Sequence, residues 1–364
     1  MISINDVKNA GKGFFPDGNI EEVEQILNGH INLTYRVRID GRDYILQRIN
    51  TDIFKDPDGL INNIASVTEY LRGIITKNGG DPDRETLTLL KTPKGEYLFR
   101  DDSGVYRMYL FITGATCYNR AERKGMFGES ARAFGRFQNL LAGFDATKLN
   151  ETIRFFHYTP KRYQNFINAL EADRFGRSAD CKDEIEFFRS RGDYCDTITK
   201  RLADGTIPTR ATHNDTKLNN VMIDDATGKG ICVIDLDTVM PGSMLYDFGD
   251  SIRFGASSAA EDEKDLAKVY CVPELYEEYA NGFLSELKES ITPAELEYLH
   301  DGAIMMTYEC GMRFLTDYLE GDVYFRTSFE GQNLVRARTQ MKLVRDMENR
   351  RALFEGIIKK AFEN

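Results

Sequence analysis

Residues 31–39, INLTYRVRI, alternate in character: Ile31, Leu33, Tyr35, Val37 and Ile39 fall on one side, Asn32, Thr34, Arg36 and Arg38 on the other. A period of two marks a strand with one buried face. Asp40-Gly41 follows, a pair suited to the left-handed residues of a tight hairpin, and DYILQRI at 43–49 reads as the returning strand. EEVEQIL at 21–27 fits a third strand, joined through Asn28-Gly29-His30. The chain therefore opens as an antiparallel meander with a glycine-containing loop at 28–32. Over 59–73 the period changes, and Leu60, Ile64, Val67 and Leu71 recur at helical spacing.

Strand-like pieces return at 96–100 and 105–112. Beyond Thr113-Gly114 helical stripes dominate, from Phe134, Phe137 and Leu141 to Met341, Val344, Met347, Phe354 and Ile358. The pattern predicts an α+β protein, with a small β-rich part over 1–112 and a larger, mostly helical part over 113–364. One β signal interrupts the helical half. VMI at 221–223 and ICVI at 231–234 flank DDATGK, which has the chemistry of a turn. The polar octet HNDTKLNN (213–220) lies just before this hairpin and Asp235-Leu236-Asp237 just after it. A hairpin would bring both polar clusters to its open end.

At 364 residues the chain is long enough for two domains. A hydrophobic content of 41%, a charged content of 29% and a mean hydropathy of −0.43 describe a globular protein. No apolar run approaches the roughly 18 residues of a membrane span. The opening MISINDVKNAGKG lacks the apolar centre of a signal peptide, so a cytoplasmic location is expected. A net charge of −11 argues against a broad nucleic-acid footprint, and an anionic ligand would then need local cations or a metal. The six cysteines (117, 181, 195, 232, 271 and 310) form no C-x-x-C pair, and the four histidines have no zinc-type spacing.

The octet and the segment after the hairpin carry what phosphoryl transfer from ATP requires, which is chiefly positioning and neutralisation of charge. Asp215, ionised at neutral pH, can orient an acceptor hydroxyl and take its proton. Lys217 can lean over the transferring phosphate. Asn220 offers an amide oxygen and Asp235 a carboxylate to Mg²⁺, which favours one or two carboxylates together with phosphate oxygens. The five-residue step from Asp215 to Asn220, with Asp235 beyond, matches the catalytic-loop and metal-aspartate pattern of protein kinases. A solvated polar turn is the competing reading of the octet alone, and the hairpin with Asp235 argues against it.

His213-x-Asp215-x-x-x-x-Asn220, followed by Ile234-Asp235, resembles the aminoglycoside phosphotransferase and choline kinase group. GHINLTYRV, YILQRINTDIF, ATHNDTKLNN, IDLDTVMPGSMLYDFGDSIRFGAS, EDEKDL, ECGMRFLTDYLEGDVYF and NLVRARTQ further resemble the bacterial N-acetylhexosamine 1-kinases, in the same order over almost the whole chain. The resemblance implies a bilobal, protein-kinase-like fold, with a nucleotide-binding lobe over 1–112 and a catalytic, sugar-binding lobe over 113–364. It implies transfer from ATP, with Mg²⁺, to the anomeric hydroxyl of N-acetylglucosamine or N-acetylgalactosamine; a monomer is compatible with this. Asp215 would be the base, Asn220 and Asp235 the metal ligands, and Arg313 and Tyr324 part of the sugar site. Taken as residues alone, the last two have other readings. Arg313 lies between Glu309 and Asp317 at i±4, as in a solvated ion-pair ladder. Tyr324 follows the helix-ending Gly321 and could cap the core.

Several positions depart from the kinase pattern. The strand lysine of protein kinases falls at Gln47, which carries no charge, and Glu69 on the next helix has no lysine to pair with. Neutralisation then falls to Lys217 and the metal, or to a cation from elsewhere such as Arg48. The loop with Gly29, His30 and Asn32 has one glycine instead of G-x-G-x-x-G, although its backbone N–H groups could still approach phosphate. Adenine is expected along Tyr109–Ile112, beside Tyr109 and Phe111. Asp247 reads either as an orienting residue behind the catalytic loop or as part of a surface loop. Alternatives for the whole chain are a choline- or aminoglycoside-type kinase and a catalytically silent nucleotide-binding regulator.

Overall fold

The computed structural model describes residues 2–27 and 31–364. Gly29 and His30 of the predicted nucleotide loop lie outside the described residues. The chain divides into two compact units, both discontinuous in sequence. The first gathers Met1–Cys117, Gly143–Arg154 and Val221–Pro241; the second gathers Tyr118–Ala142, Phe155–Asn220 and Gly242–Asn364. A partition at residue 112 follows chain order, whereas packing assigns the hairpin and Asp235 to the first unit.

The first unit begins with helix α1 (Ile4–Phe14), which precedes the predicted meander. Its start is a reciprocal cap: the Ser3 hydroxyl accepts from the Asp6 N–H at 3.2 Å, and the Asp6 carboxylate accepts from the Ser3 N–H at 2.8 Å. Strands β1 (Ile20–Ile26), β2 (Leu33–Ile39) and β3 (Arg42–Arg48) form the predicted meander. Asp40 and Gly41 turn between the last two with φ of 49° and 76°, the left-handed pair that a two-residue hairpin needs. Helix α2 spans Pro57–Lys77, longer than its apolar stripe, because Asp56 caps it by accepting from the Gly59 N–H at 2.9 Å. Helix α3 is the short Pro82–Glu85. Strands β4 (Phe99–Asp101) and β5 (Gly104–Leu110) complete an antiparallel sheet in the order β1-β2-β3-β5-β4.

One face of this sheet is apolar. Tyr35, Val37, Leu46, Tyr106 and Met108 close with Val7 and Phe14 of α1 into a core. Partners in register share a face, so Thr34, Gln47 and Arg107 line up across β2, β3 and β5 on the opposite side. Strand β6 (Ala115–Cys117) belongs to a second, three-stranded sheet of this unit. Strand β7 (Arg210–Thr212) lies in the second unit, and β8 (Val221–Asp224) and β9 (Gly230–Val233) form the hairpin read from sequence. Val221 pairs with Val233, so the open end of the hairpin holds the residue after Asn220 and the residue before Ile234-Asp235.

The second unit is helical. It contains α4 (Met126–Leu140), α5 (Thr159–Ala172), α6 (Lys182–Ser190), α7 (Thr199–Ala203), α8 (Met244–Gly255), α9 (Pro273–Ser285), α10 (Pro293–Glu297), α11 (Leu299–Leu319), α12 (Gln332–Asn349) and α13 (Arg351–Glu363). Helix α11 is buried along most of its length and packs on α5, α8 and α12. Two glycines set its approach to α8. A Cβ on Gly249 would sit 2.4 Å from the Gly302 carbonyl oxygen, and one on Gly302 would sit 2.7 Å from that of Leu245. Among the described residues, no helix is long and apolar enough to cross a membrane.

Candidate active site

The octet leaves buried strand β7 and stays close to the core of the second unit. Asn214, Thr216, Leu218 and Asn220 are buried, while Asp215, Lys217 and Asn219 alternate with them half-buried. Asp247 of α8 fixes the entry to the loop. Its fully buried carboxylate accepts from the His213 N–H at 3.0 Å, the Asn214 N–H at 2.7 Å and the Gln138 amide at 2.6 Å. Asp247 is therefore no surface-loop residue, and its geometry is that of an orienting group. Burial raises its pKa, and the charge of His213 and the three donors act against that rise. One turn on, the Asp250 carboxylate accepts from the Thr216 N–H at 3.1 Å and is paired with Arg253 at 2.9 Å.

The opposite side of the loop is held by His157, which is itself braced by Glu309 of α11. His157 contacts the Asn214 carbonyl oxygen through Nε2 at 3.1 Å and Glu309 through Nδ1 at 2.8 Å. Glu309 is buried and also accepts from the Thr159 hydroxyl at 2.6 Å. Asn214 has φ of 65°, a left-handed conformation unusual for a residue with a Cβ. Contacts from α8, from His157 and to Thr212 hold it there, as strained backbone requires.

Within this frame Asp215 has two partners. The Asn220 amide donates to the Asp215 carbonyl oxygen at 2.8 Å and to its carboxylate at 3.2 Å. The Lys217 ammonium lies 2.7 Å from the other carboxylate oxygen. Burial works to lower the Lys217 pKa, but the carboxylates of Asp215 and Asp250 outweigh it and raise the value. Lys217 is thus a full cation, here resting on Asp215.

In the first unit, Asp235 is exposed on the turn after β9, with the buried Leu236 and Asp237 beside it. Its φ of 59° is again left-handed. Sequence reasoning missed the two residues that organise this region, Arg107 and Asp237, which form a buried ion pair at 2.5 Å. Arg107 also donates to the Gln47 side chain at 2.9 Å, and Asn32 donates to Asp237 at 2.5 Å. An arginine inside the apolar run VYRMYLFI, opposite Gln47, was the available signal. Arg48 does not serve here, because its guanidinium donates to the Ser103 carbonyl at 2.6 Å. Glu69 accepts from the Tyr97 hydroxyl at 2.5 Å. Tyr109 is buried on β5, and the Arg36 guanidinium lies 4.8 Å over the Phe111 ring. The Leu110 N–H donates to the Thr88 carbonyl and the Phe111 N–H to that of Asp43.

Arg313 and Tyr324 come together in the second unit, with the guanidinium 5.8 Å from the Tyr324 ring and 5.5 Å from that of Phe325. The ladder reading of Arg313 is not realised. Glu309 is committed to His157 and Thr159, and the buried Asp317 accepts the backbone N–H groups of Val323, Tyr324 and Phe325 at 2.8–2.9 Å. Tyr324 is 68% exposed and caps no core. Sequence reasoning also missed Arg162, whose pKa is lowered by burial and then by the charge of Arg313.

Residues 22–281, more than half of the chain, match the sequence profile of the phosphotransferase enzyme family. The chain belongs to that family. Its fold is the protein-kinase-like fold of these phosphotransferases, and similar solved structures agree with this across their whole length. A spectinomycin phosphotransferase solved with ADP and spectinomycin is 13% identical, with 100% of this chain and 99% of that one covered and a TM-score of 0.56. A microcompartment-associated aminopropanol kinase is 13% identical, with 97% and 99% covered and a TM-score of 0.58. Choline kinase from Cryptosporidium parvum is 15% identical, with 98% and 99% covered and a TM-score of 0.57. The phosphotransferase thus keeps the fold of enzymes whose acceptors differ widely.

Proposed function

We propose that this phosphotransferase transfers the γ-phosphoryl group of ATP to the anomeric hydroxyl of an N-acetylhexosamine, N-acetylglucosamine or N-acetylgalactosamine, giving the 1-phosphate. In this reading Asp215 orients the sugar's O1 and accepts its proton as that oxygen attacks phosphorus in line and the bond from phosphorus to the bridging oxygen of ADP breaks. Lys217, paired with Asp215 at 2.7 Å, is close enough to neutralise charge on the transferring group. The nucleotide would lie along β3 and β5, by Gln47, Tyr109 and Phe111, with the loop of Gly29, His30 and Asn32 at its phosphates.

The donor set suits Mg²⁺. Mg²⁺ takes part of its coordination from phosphate oxygens, so one carboxylate and one amide oxygen suffice from the protein. The Asn220 amide nitrogen is committed to Asp215, so its oxygen is the atom left for a cation. Asp235 presents an exposed carboxylate. Asn220 and Asp235 would hold the ion, which when bound neutralises phosphate charge.

The observation that carries the acceptor class is the charge around Arg313. It sits one turn along α11 from Glu309, the residue that steadies the octet through His157. Close to it are the guanidinium of Arg162 and the carboxylate of Glu309, which is already committed to His157 and Thr159. Such a surface opposes a choline-like or polyamine acceptor and suits a neutral one whose hydroxyl and amide oxygens accept from arginine. The exposed Tyr324 beside it offers a ring face to a sugar.

Incubation with Mg-ATP and a panel of neutral, N-acetylated and amino sugars, choline and an aminoglycoside, read by ³¹P NMR, tests this. A new anomeric phosphate on the N-acetylated sugars is expected. Phosphate at O6, preference for a cationic acceptor, or no transfer at all would reject it.

A further inference from the structure

In the first unit, a row of polar side chains crosses the sheet behind Asp235. Thr34, Gln47 and Arg107 are in register on adjacent strands. The Gln47 amide donates to the Thr34 hydroxyl at 3.0 Å and its oxygen accepts from Arg107 Nε at 2.9 Å. Arg107 is 1% exposed, and its Nη1 meets one oxygen of Asp237 at 2.5 Å. The other oxygen of Asp237 accepts from the Asn32 amide at 2.5 Å, and the Asn32 oxygen accepts from the Asn50 N–H at 2.9 Å.

The segment carrying Asp237 is also held by its backbone. Its carbonyl accepts from the Thr152 hydroxyl at 3.0 Å, and two residues on the Val239 carbonyl accepts from Asn63 of α2 at 3.0 Å. Asp235, two residues before Asp237, keeps a left-handed backbone. Such a conformation is unfavourable for a residue with a Cβ and persists where its surroundings over-determine it. The Asp237 contacts constrain the same turn from two residues away.

Arg107 is the wrong group to be a first contact for phosphate. It is buried, its charge is matched by Asp237, and a sheet partner occupies its Nε. Yet it stands one strand over from the place where protein kinases carry their lysine. Its counter-ion lies on the metal-aspartate turn and not on the helix after β3. We propose that Arg107 is a positioning residue for the nucleotide-bound metal. Through Asp237 it locks the left-handed Asp235 turn, and through Asn32 it ties that turn to the start of β2. Gln47 can then be uncharged, because its part is to hold the guanidinium in place. This rests on the reading of Asp235 as a magnesium-binding carboxylate.

Calorimetric titration with ADP, with and without Mg²⁺, tests the assignment. The wild-type protein should bind ADP more tightly when Mg²⁺ is present. Arg107→Met should lose that metal-linked gain by roughly 10- to 100-fold, as outer-shell substitutions do at metal sites, with metal-free ADP affinity changed less than about twofold. Breaking a buried pair at one end strands a charge, so a second variant removes both ends: Arg107→Met with Asp237→Leu should fold and show the same loss. A folded variant that keeps the wild-type gain overturns the assignment. So does a parallel fall in metal-free ADP affinity, since that result would place the effect on the nucleotide contacts and not on the metal. A wild-type protein with no metal-linked gain would instead reject the metal reading of Asp235, and this inference with it.

Discussion

Replacing Asp247 with Asn isolates what a buried carboxylate does for the loop over 213–220. One oxygen accepts from the Asn214 N–H and the other from the His213 N–H and the Gln138 amide. An amide retains a single acceptor oxygen. Turned to keep the paired bonds, it sets its NH₂ against the Asn214 N–H; turned the other way, it opposes two donors. At least one buried donor loses its partner, at about 1–3 kcal/mol, and the remaining bonds lose charge assistance. Against this, the substitution removes a charge that burial disfavours, as the raised pKa of Asp247 records. The net loss should be about 1–3 kcal/mol for Asp247→Asn and about 3–5 kcal/mol for Asp247→Ala, which strands all three donors. The two peptide units involved lead directly into Asp215. Small errors in placing a reacting group are costly, so turnover should fall by about 10- to 100-fold with KM for ATP unchanged. Urea denaturation gives the stabilities, and a coupled ADP-release assay gives the rates. Wild-type turnover in a folded Asp247→Asn variant, or an Asp247→Ala variant as stable as wild type, would refute the reasoning.

Other substitutions probe separate parts of the molecule. Arg313→Ala should raise KM for the N-acetylhexosamine by about 10- to 100-fold, the worth of one charged hydrogen bond, while KM for ATP holds; steady-state kinetics with each substrate varied would expose the opposite pattern. Burial, with the charge of Arg351, lowers the His300 pKa to about 4. Between about pH 6.5, where an unfolded histidine titrates, and pH 4 the unfolded chain binds the extra proton, so this residue lowers stability as pH falls, by up to roughly 3 kcal/mol. His300→Gln should flatten that part of the pH dependence in urea melts, and an unchanged slope would count against it. Gly249→Ala places a methyl group 2.4 Å from the Gly302 carbonyl oxygen and 2.8 Å from Met306. The helices must separate, at about 1–3 kcal/mol, and calorimetry should show a melting temperature lower by several degrees; an unshifted one would mean the helices adjust freely.

The meander, helix α2, the hairpin of β8 and β9 and the octet were legible because each is written in neighbouring residues. Alternation in INLTYRVRI, the left-handed Asp40-Gly41 turn and the apolar spacing of Leu60, Ile64, Val67 and Leu71 act over a few positions and need no distant partner. Helix α1 had a signal of the same local kind in its Ser3–Asp6 cap and in Val7, Ala10 and Phe14, but over only 11 residues. Arg313 shows where local rules mislead. Its i±4 neighbours suggested a surface ladder, yet tertiary packing gave Glu309 to His157 and Asp317 to the backbone at 323–325.

By itself, then, the sequence determined the fold class and the polar octet beside the hairpin, because periodicity and close spacing are local and survive without a structure. Tertiary structure alone decided which charges are matched. Arg107 meets Asp237 across 130 positions, Asp247 reaches back 34 residues to His213, and Glu309 reaches 152 residues to His157. Pairing of buried charges depends on three-dimensional proximity and shared desolvation, and neither quantity is carried by the order of residues along a chain.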